Sequence, residues 1–221
     1  MAQVKRNRRD SIPLIGAHSH SHSDHVAGDS QFRGRPDTTL VGLTVEATQQ
    51  FFGIDRWPDG IGQVDLGARV IDVFPIPDHN KLSLAYYDRQ TGILFTGDTL
   101  YPGQMYVDDF PALVKSAARL VDFTRGSVVT HLLGCHIEQT ATPYLDYPIG
   151  SMYQPDEHSL ELGRGALLEL DAALRGMDQP HRVALRDFTV WPVDAKAWQE
   201  LEAIEKVTLE KQRQTMWGQP R

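Results

Sequence analysis

His18-Ser19-His20-Ser21-His22-Ser23-Asp24-His25 is the stretch around which the chain is read. Histidine and aspartate are crowded here far beyond ordinary usage, and small serines fill the gaps. Imidazole nitrogens and carboxylate oxygens are the ligands that zinc and similar borderline ions take. In an extended chain, residues two apart point the same way, so His20 and His22 can grip one ion together. Asp24 and His25 follow at a bend, where their side chains can turn toward a neighbouring position. One short stretch could therefore supply ligands to two adjacent metals. A purification tag is a plain His run at a terminus, and the Asp-His ending does not fit one. His18 stands outside the pattern as a bystander or supporting group.

Working outward, Ile12 to Ala17 is a short apolar run that predicts a buried strand delivering the metal loop. Val26 to Asp29 predicts the start of a short helix, and Thr38 to Leu43 another buried strand. Thr44 reads as the cap of a helix that runs to Phe52 and stops at Gly53. Val64 to Phe74 predicts two strands joined at Gly67-Ala68. Leu82 to Tyr87 and Ile93 to Thr96 predict strands around a turn at Asp88 to Gly92. Pro111 to Phe123 reads as a helix, and Ser127 to Leu133 as a buried strand. Thr142 to Pro155 is a long loop. Asp156 predicts a helix with Leu160, Leu167, Leu170 and Leu174 as its apolar stripe. Arg182 to Trp191 reads as one strand. Asp194 then caps a last helix with Trp198, Leu201 and Ile204 inward. Strands alternating with helices predict an α/β layered fold.

The chain has 221 residues, 41% hydrophobic and 23% charged, with a formal net charge of −7. That size suits one domain with a sizeable core, residues 1–221, in which 142–221 form an extension of loop, helix, strand and helix. The acidic balance argues against nucleic-acid binding, which rests on phosphate neutralisation. No apolar stretch approaches transmembrane length, so no membrane partner is expected. The single cysteine, Cys135, rules out an internal disulfide and fits a reducing, cytoplasmic setting. A lone cysteine reads as a small buried hydrophobe. The basic run Lys5-Arg6-Asn7-Arg8-Arg9 reads as a solvated tail.

Chemistry collects where strands end in loops. His79 follows Ile76-Pro77-Asp78, and Asp98 ends Phe95-Thr96-Gly97-Asp98. A carboxylate has two oxygens and can bridge two cations about 3.5–4 Å apart. A further ligand comes from His131 or His136, and His136 after Gly134-Cys135 is favoured, because His131 lies within the strand as core or support. His158 stands at a helix start and reads equally as a site residue or a surface one. Asp146 and Tyr147 read either as pocket lining, with a Tyr hydroxyl for an oxyanion, or as packing.

His20-x-His22-x-Asp24-His25 resembles the signature of the metallo-β-lactamase superfamily, and the later motifs follow in that family's order over roughly residues 12 to 137. The departures are Asp78 where the family has Gly, and Cys135 beside the last ligand. The resemblance implies an αβ/βα sandwich with metals at one edge. It implies that His20, His22 and His79 hold one metal, that Asp24, His25 and His136 hold the second, and that Asp98 bridges them. Two zinc ions are expected, with iron or manganese as alternatives. A bridging hydroxide would attack the substrate, with Asp24 orienting it. The Asp98 ligand set is similar to that of glyoxalase II-type thioesterases and lactonases, which implies a small-molecule ester, thioester or lactone as substrate. A glutathione thioester would call for a cationic site near the C-terminus, for which Arg164, Arg182 and Arg186 are available. Rival expectations are a sulfur oxygenase with a single iron on His20, His79 and Asp98, and a non-catalytic metal-binding scaffold. The family has several strands before its His-x-His motif, and here they are expected to be missing. That expectation predicts an exposed sheet edge and apolar face, and a homo-oligomer as one way to complete the sheet.

Overall fold

The computed structural model describes residues 12–216, so the basic run Lys5–Arg9 lies outside the described residues. In chain order the elements are β1 (Leu14–Gly16), α1 (Ser23–Val26), a 3-10 turn (Asp29–Gln31), β2 (Thr38–Leu40), α2 (Val45–Phe52), β3 (Gly62–Asp65), β4 (Val70–Pro75), β5 (Leu84–Asp88), β6 (Ile93–Gly97) and β7 (Gln104–Val107). There follow α3 (Phe110–Arg125), β8 (His131–Gly134), β9 (Glu161–Leu162), α4 (Arg164–Arg175), β10 (Val183–Ala184), β11 (Thr189–Pro192) and α5 (Ala195–Met216).

A six-stranded sheet in the order β3-β4-β5-β6-β8-β9 forms the platform. Only the β6–β8 pair within it is parallel, and α3 lies in the crossover that such a pair requires. The two-residue period of a strand sends neighbours to opposite faces. Phe74, Ala85, Leu94 and Leu132 therefore meet Leu113, Ala117 and Leu120 of α3 and Leu167, Leu170 and Leu174 of α4 on one face. Val73 and Leu84 point to the other face, where Phe52 of α2 and Val41 cover them. Cover on that second face is incomplete, since Phe95 is 40% and Leu66 55% exposed. β10-β11-β7 form a three-stranded sheet, and β1 and β2 pair in parallel.

Local chemistry fixes the helix ends. Thr44 caps α2 by accepting from Ala47 N at 3.1 Å, and Gly53 ends it with φ +70°. Asp109 caps α3 by accepting from Ala112 N at 3.0 Å. Asp194 does the same for α5 through Ala197 N at 2.8 Å.

Several sequence expectations need correction. The strands at β1 and β2 exist but are not buried, with Leu14 40% and Ile15 37% exposed. α1 starts earlier than expected and contains Asp24 and His25. No helix starts at Asp156; α4 begins at Arg164, because residues 157 and 158 are held by a bridge between Thr140 and Glu157 and by His158 N donating to Gln139 O. Leu160 therefore lies outside the stripe. Arg182–Trp191 is not one strand but a hairpin, closed by Leu185 N donating to Phe188 O at 2.8 Å. β8 starts at His131, which is exposed rather than core, and β7 was not foreseen. Ile204 is 49% exposed and does not face inward, whereas Leu201 does. Cys135 is exposed. Among the described residues no helix is long and apolar enough to cross a membrane.

Candidate metal centre

The histidine loop is hung on the centre of the six-stranded sheet. Leu84 N donates to Ser19 O at 2.7 Å, and the Tyr86 hydroxyl donates to His18 O at 2.7 Å. At the end of β6, Gly97 has φ +55°, and a Cβ there would stand 2.8 Å from Ser19 Cβ. Only glycine lets the loop approach so closely before the chain turns to present Asp98.

Three overlapping groups of candidate ligand atoms result, one of which, His20, His25 and Asp98, spans the other two. His20, His22 and His79 form the first, and Asp24, His25 and His136 the second, the atoms of each lying within 4.8 Å of one another. In the first, His22 Nδ1 is 3.0 Å from both His20 Nε2 and His79 Nε2. In the second, Asp24 Oδ2 is 3.2 Å from His25 Nε2 and 3.6 Å from His136 Nε2. Asp98 stands between them. Its Oδ2 is 3.5 Å from His20 Nε2, 3.6 Å from His79 Nε2, 3.3 Å from His25 Nε2 and 3.2 Å from His136 Nε2.

The protonation pattern suits cation binding. Burial pushes the His20 imidazole down to about 3, and burial together with neighbouring His79 also lowers His22. His79 Nδ1 donates to the Tyr106 carbonyl at 2.8 Å, which leaves Nε2 as a bare acceptor facing inward. The three nitrogens of the first group thus converge on one point. Burial alone would raise Asp98, but the His136 hydrogen bond and the charges of His136, His20 and His25 outweigh it and hold the carboxyl below its usual range. The same hydrogen bond raises His136. His25 Nε2 and Asp98 Oδ1 are buried and make no hydrogen bond. Buried polar atoms of this kind want a partner, and nitrogen and carboxylate donors in two groups of three around one carboxylate fit a pair of divalent cations.

The other candidates fall elsewhere. His18 Nε2 bonds Asp29 at 2.8 Å. His158 pairs with Asp187 at 3.4 Å, away from both groups. The Tyr147 hydroxyl accepts from Asp156 N, and Asp146 accepts from the Thr189 hydroxyl, so both polar groups are engaged within the fold. Asp78, unexpected beside His79, is buried, which pushes it up to about 7, while Thr99 donates to it at 3.0 Å. Two contributors escaped the sequence reading. Ser19 looked like a spacer, yet its Oγ lies 3.1 Å from His20 Nδ1 and 3.3 Å from His25 Nδ1. Tyr106 contributes a main-chain carbonyl, which no side-chain pattern reveals.

The family model of the metallo-beta-lactamase superfamily matches residues 18–175. The chain belongs to the metallo-beta-lactamase superfamily. Its α/β layering is that superfamily's fold. Among curated relatives, a hydroxyacylglutathione hydrolase of Chelativorans sp. (strain BNC1) is 29% identical over 114 residues, covering 50% of this chain and 44% of the relative. One from Brucella ovis is 30% identical over 106 residues, covering 47% of this chain and 41% of the relative. The chain thus spans less than half the length of these relatives. Among solved structures, a metallo-beta-lactamase from Pontibacter korlensis aligns with TM-score 0.46 at 16% identity over 79% of this chain and 74% of its own. An archaeal superfamily protein from Sulfolobus tokodaii aligns with TM-score 0.45 at 12% identity over 91% and 81%.

Proposed function

We propose that the chain is a dinuclear metallo-hydrolase acting on a small-molecule ester, thioester or lactone. The observation that carries this reading is the place of Asp98 Oδ2, within 3.2–3.6 Å of nitrogens from both groups. His20, His22 and His79 would hold one zinc ion, Asp24, His25 and His136 the other, and Asp98 both. Zinc supplies a nucleophile at neutral pH by lowering the pKa of water from 15.7 to about 7, and it polarises a carbonyl as a Lewis acid.

The chain's own residues do the rest. The Tyr106 carbonyl fixes the His79 ring so that Nε2 faces inward. Ser19 Oγ steadies the His20 and His25 rings from behind. The Asp24 side chain is 57% exposed, so its carboxylate faces the open side of the site. From there it can accept a hydrogen bond from an attacking water and aim that water at a substrate carbonyl.

Elemental mass spectrometry of the purified protein, paired with a panel of esters, thioesters and lactones, tests the reading. About two zinc per chain with hydrolysis of a panel member is the expected result. A single iron per chain, or full metal loading with no hydrolysis, would overturn it.

A further inference from the structure

Asp78 stands just before His79 in the chain, and Thr99 just after Asp98. The Thr99 hydroxyl donates to Asp78 Oδ1 at 3.0 Å. Both residues are buried, Asp78 at 3% and Thr99 at 2% exposure. A carboxyl is a costly group to bury, and the glycine of the family pattern would carry no such cost. This hydrogen bond runs between the chain neighbours of two candidate ligands.

Each of the two turns is held by its own contacts. Around His79, the Ser116 hydroxyl donates to Pro77 O at 3.2 Å, Asp109 N donates to Asp78 O at 3.0 Å, and His79 Nδ1 donates to Tyr106 O at 2.8 Å. Those partners lie on α3, at its N-cap and on β7, so the His79 turn is fixed to that side of the molecule. Around Asp98, Thr99 N donates to Thr96 O at 3.1 Å, and the Thr96 hydroxyl donates to Leu100 O at 2.6 Å. Cys135 N donates to Gly97 O at 3.1 Å, so this turn is fixed to the ends of β6 and β8. The Asp78–Thr99 hydrogen bond joins the two turns where His79 Nε2 and Asp98 Oδ2 stand 3.6 Å apart. A buried hydrogen bond is costly to break, so it limits how far those two atoms can separate.

Resting on the metal reading above, we propose that Asp78 and Thr99 are a positioning pair, holding His79 and Asp98 at the spacing that lets both reach one cation. Neither residue is itself a ligand. The pair keeps the first group assembled before a cation arrives, so that binding does not have to order it.

The test titrates cobalt(II), whose visible bands report its coordination, into metal-free wild type, Thr99→Val, Thr99→Ser and Asp78→Ala. Thr99→Val keeps the shape of the side chain and removes the donor. It should weaken cobalt binding by about 10-fold or more and shift the bands of the loaded protein. Thr99→Ser keeps the donor and should stay close to wild type in both. A role in packing alone gives the opposite order, since valine preserves the buried carbon and serine loses a methyl group. Asp78→Ala removes the acceptor instead, should match Thr99→Val, and takes its place should that variant not fold. Wild-type affinity and bands in Thr99→Val, or serine as damaging as valine, would overturn the proposal. Cobalt binding with no hydrolysis of any ester, thioester or lactone removes the hydrolase reading alone, and the cobalt comparison still decides this one. If the wild type takes up no cobalt, the metal reading fails separately, and crystal structures of the metal-free proteins decide. A His79 Nε2 to Asp98 Oδ2 separation longer by more than about 0.5 Å in Thr99→Val supports the pair. An unchanged separation overturns it.

Discussion

His22 Nδ1 stands 3.0 Å from His79 Nε2 although 57 residues separate them in the chain. The pairing brings the histidine loop to the end of β4, and the other nitrogen of His79 is already committed to Tyr106 O. Removing His79 takes away one of three converging nitrogens and leaves the rest geometrically intact. His79→Ala should therefore weaken the first metal by about 100-fold or more, since loss of even a supporting contact costs about 10–100-fold. Competition against a chelator of known affinity measures this. Undiminished affinity would show that His79 is no ligand.

Asp24 separates ligand loss from fold loss. Its side chain is 57% exposed on the one-turn α1, so replacing it touches no packed core. Asp24→Ala should change the stability of the metal-free protein by no more than about 0.5 kcal/mol. The same change should lower metal content toward one per chain and cut hydrolysis by at least about 100-fold. Two retained metals and an unchanged rate would sink the dinuclear assignment.

Asp88 offers a pH prediction far from the metals. Hydrogen bonding from Arg69, with help from Thr91 and Gln90 N, holds its carboxyl at about 2 against a usual 3.8. Arg69 Nε donates to it at 3.1 Å, and the Asp88 side chain is buried. A depressed carboxyl favours the folded state once ionised, so its contribution is full above about pH 4 and is lost as pH falls from there toward 2. Urea midpoints recorded between pH 2 and 6 should show that slope in the wild type. Asp88→Asn should flatten it and lower the midpoint at neutral pH. An equal slope in both proteins would assign the acid sensitivity to other groups.

What could be read in advance follows the kind of signal involved. Candidate ligand chemistry is written in residue type, so His20, His22, Asp24, His25, His79, Asp98 and His136 stood out before any geometry was known, and the fold brings their polar atoms together. α2 was legible to the residue because Thr44 and Gly53 mark its ends by local hydrogen bonding and left-handed backbone. The failures were tertiary. Pro155-Asp156 looks like a helix start, but the following backbone is taken up by Gln139 and Thr140. The hairpin of β10 and β11 turns at Arg186-Asp187, without the Asn-Gly or Asp-Gly that betrays such turns. β7 is buried on both faces, so it shows no alternation, and its Tyr106 carbonyl supports His79 through main chain alone.

The packing of α4 gives the last prediction, which separates core from surface within a few residues. Leu170 is fully buried against the sheet, whereas Leu168 on the same helix is 39% exposed. Both are leucines in mid-helix, so helix propensity changes equally on replacement by alanine and cancels in the comparison. What differs is the hole left behind. Leu170→Ala should cost about 2–5 kcal/mol, transfer and cavity terms together. Leu168→Ala should stay near 0.5 kcal/mol, with its propensity gain offsetting a small loss of contact. Chemical denaturation of the metal-free protein measures both without interference from ligand binding. Equal losses in the two variants would mean that α4 is not seated on the sheet by the Leu167, Leu170 and Leu174 face.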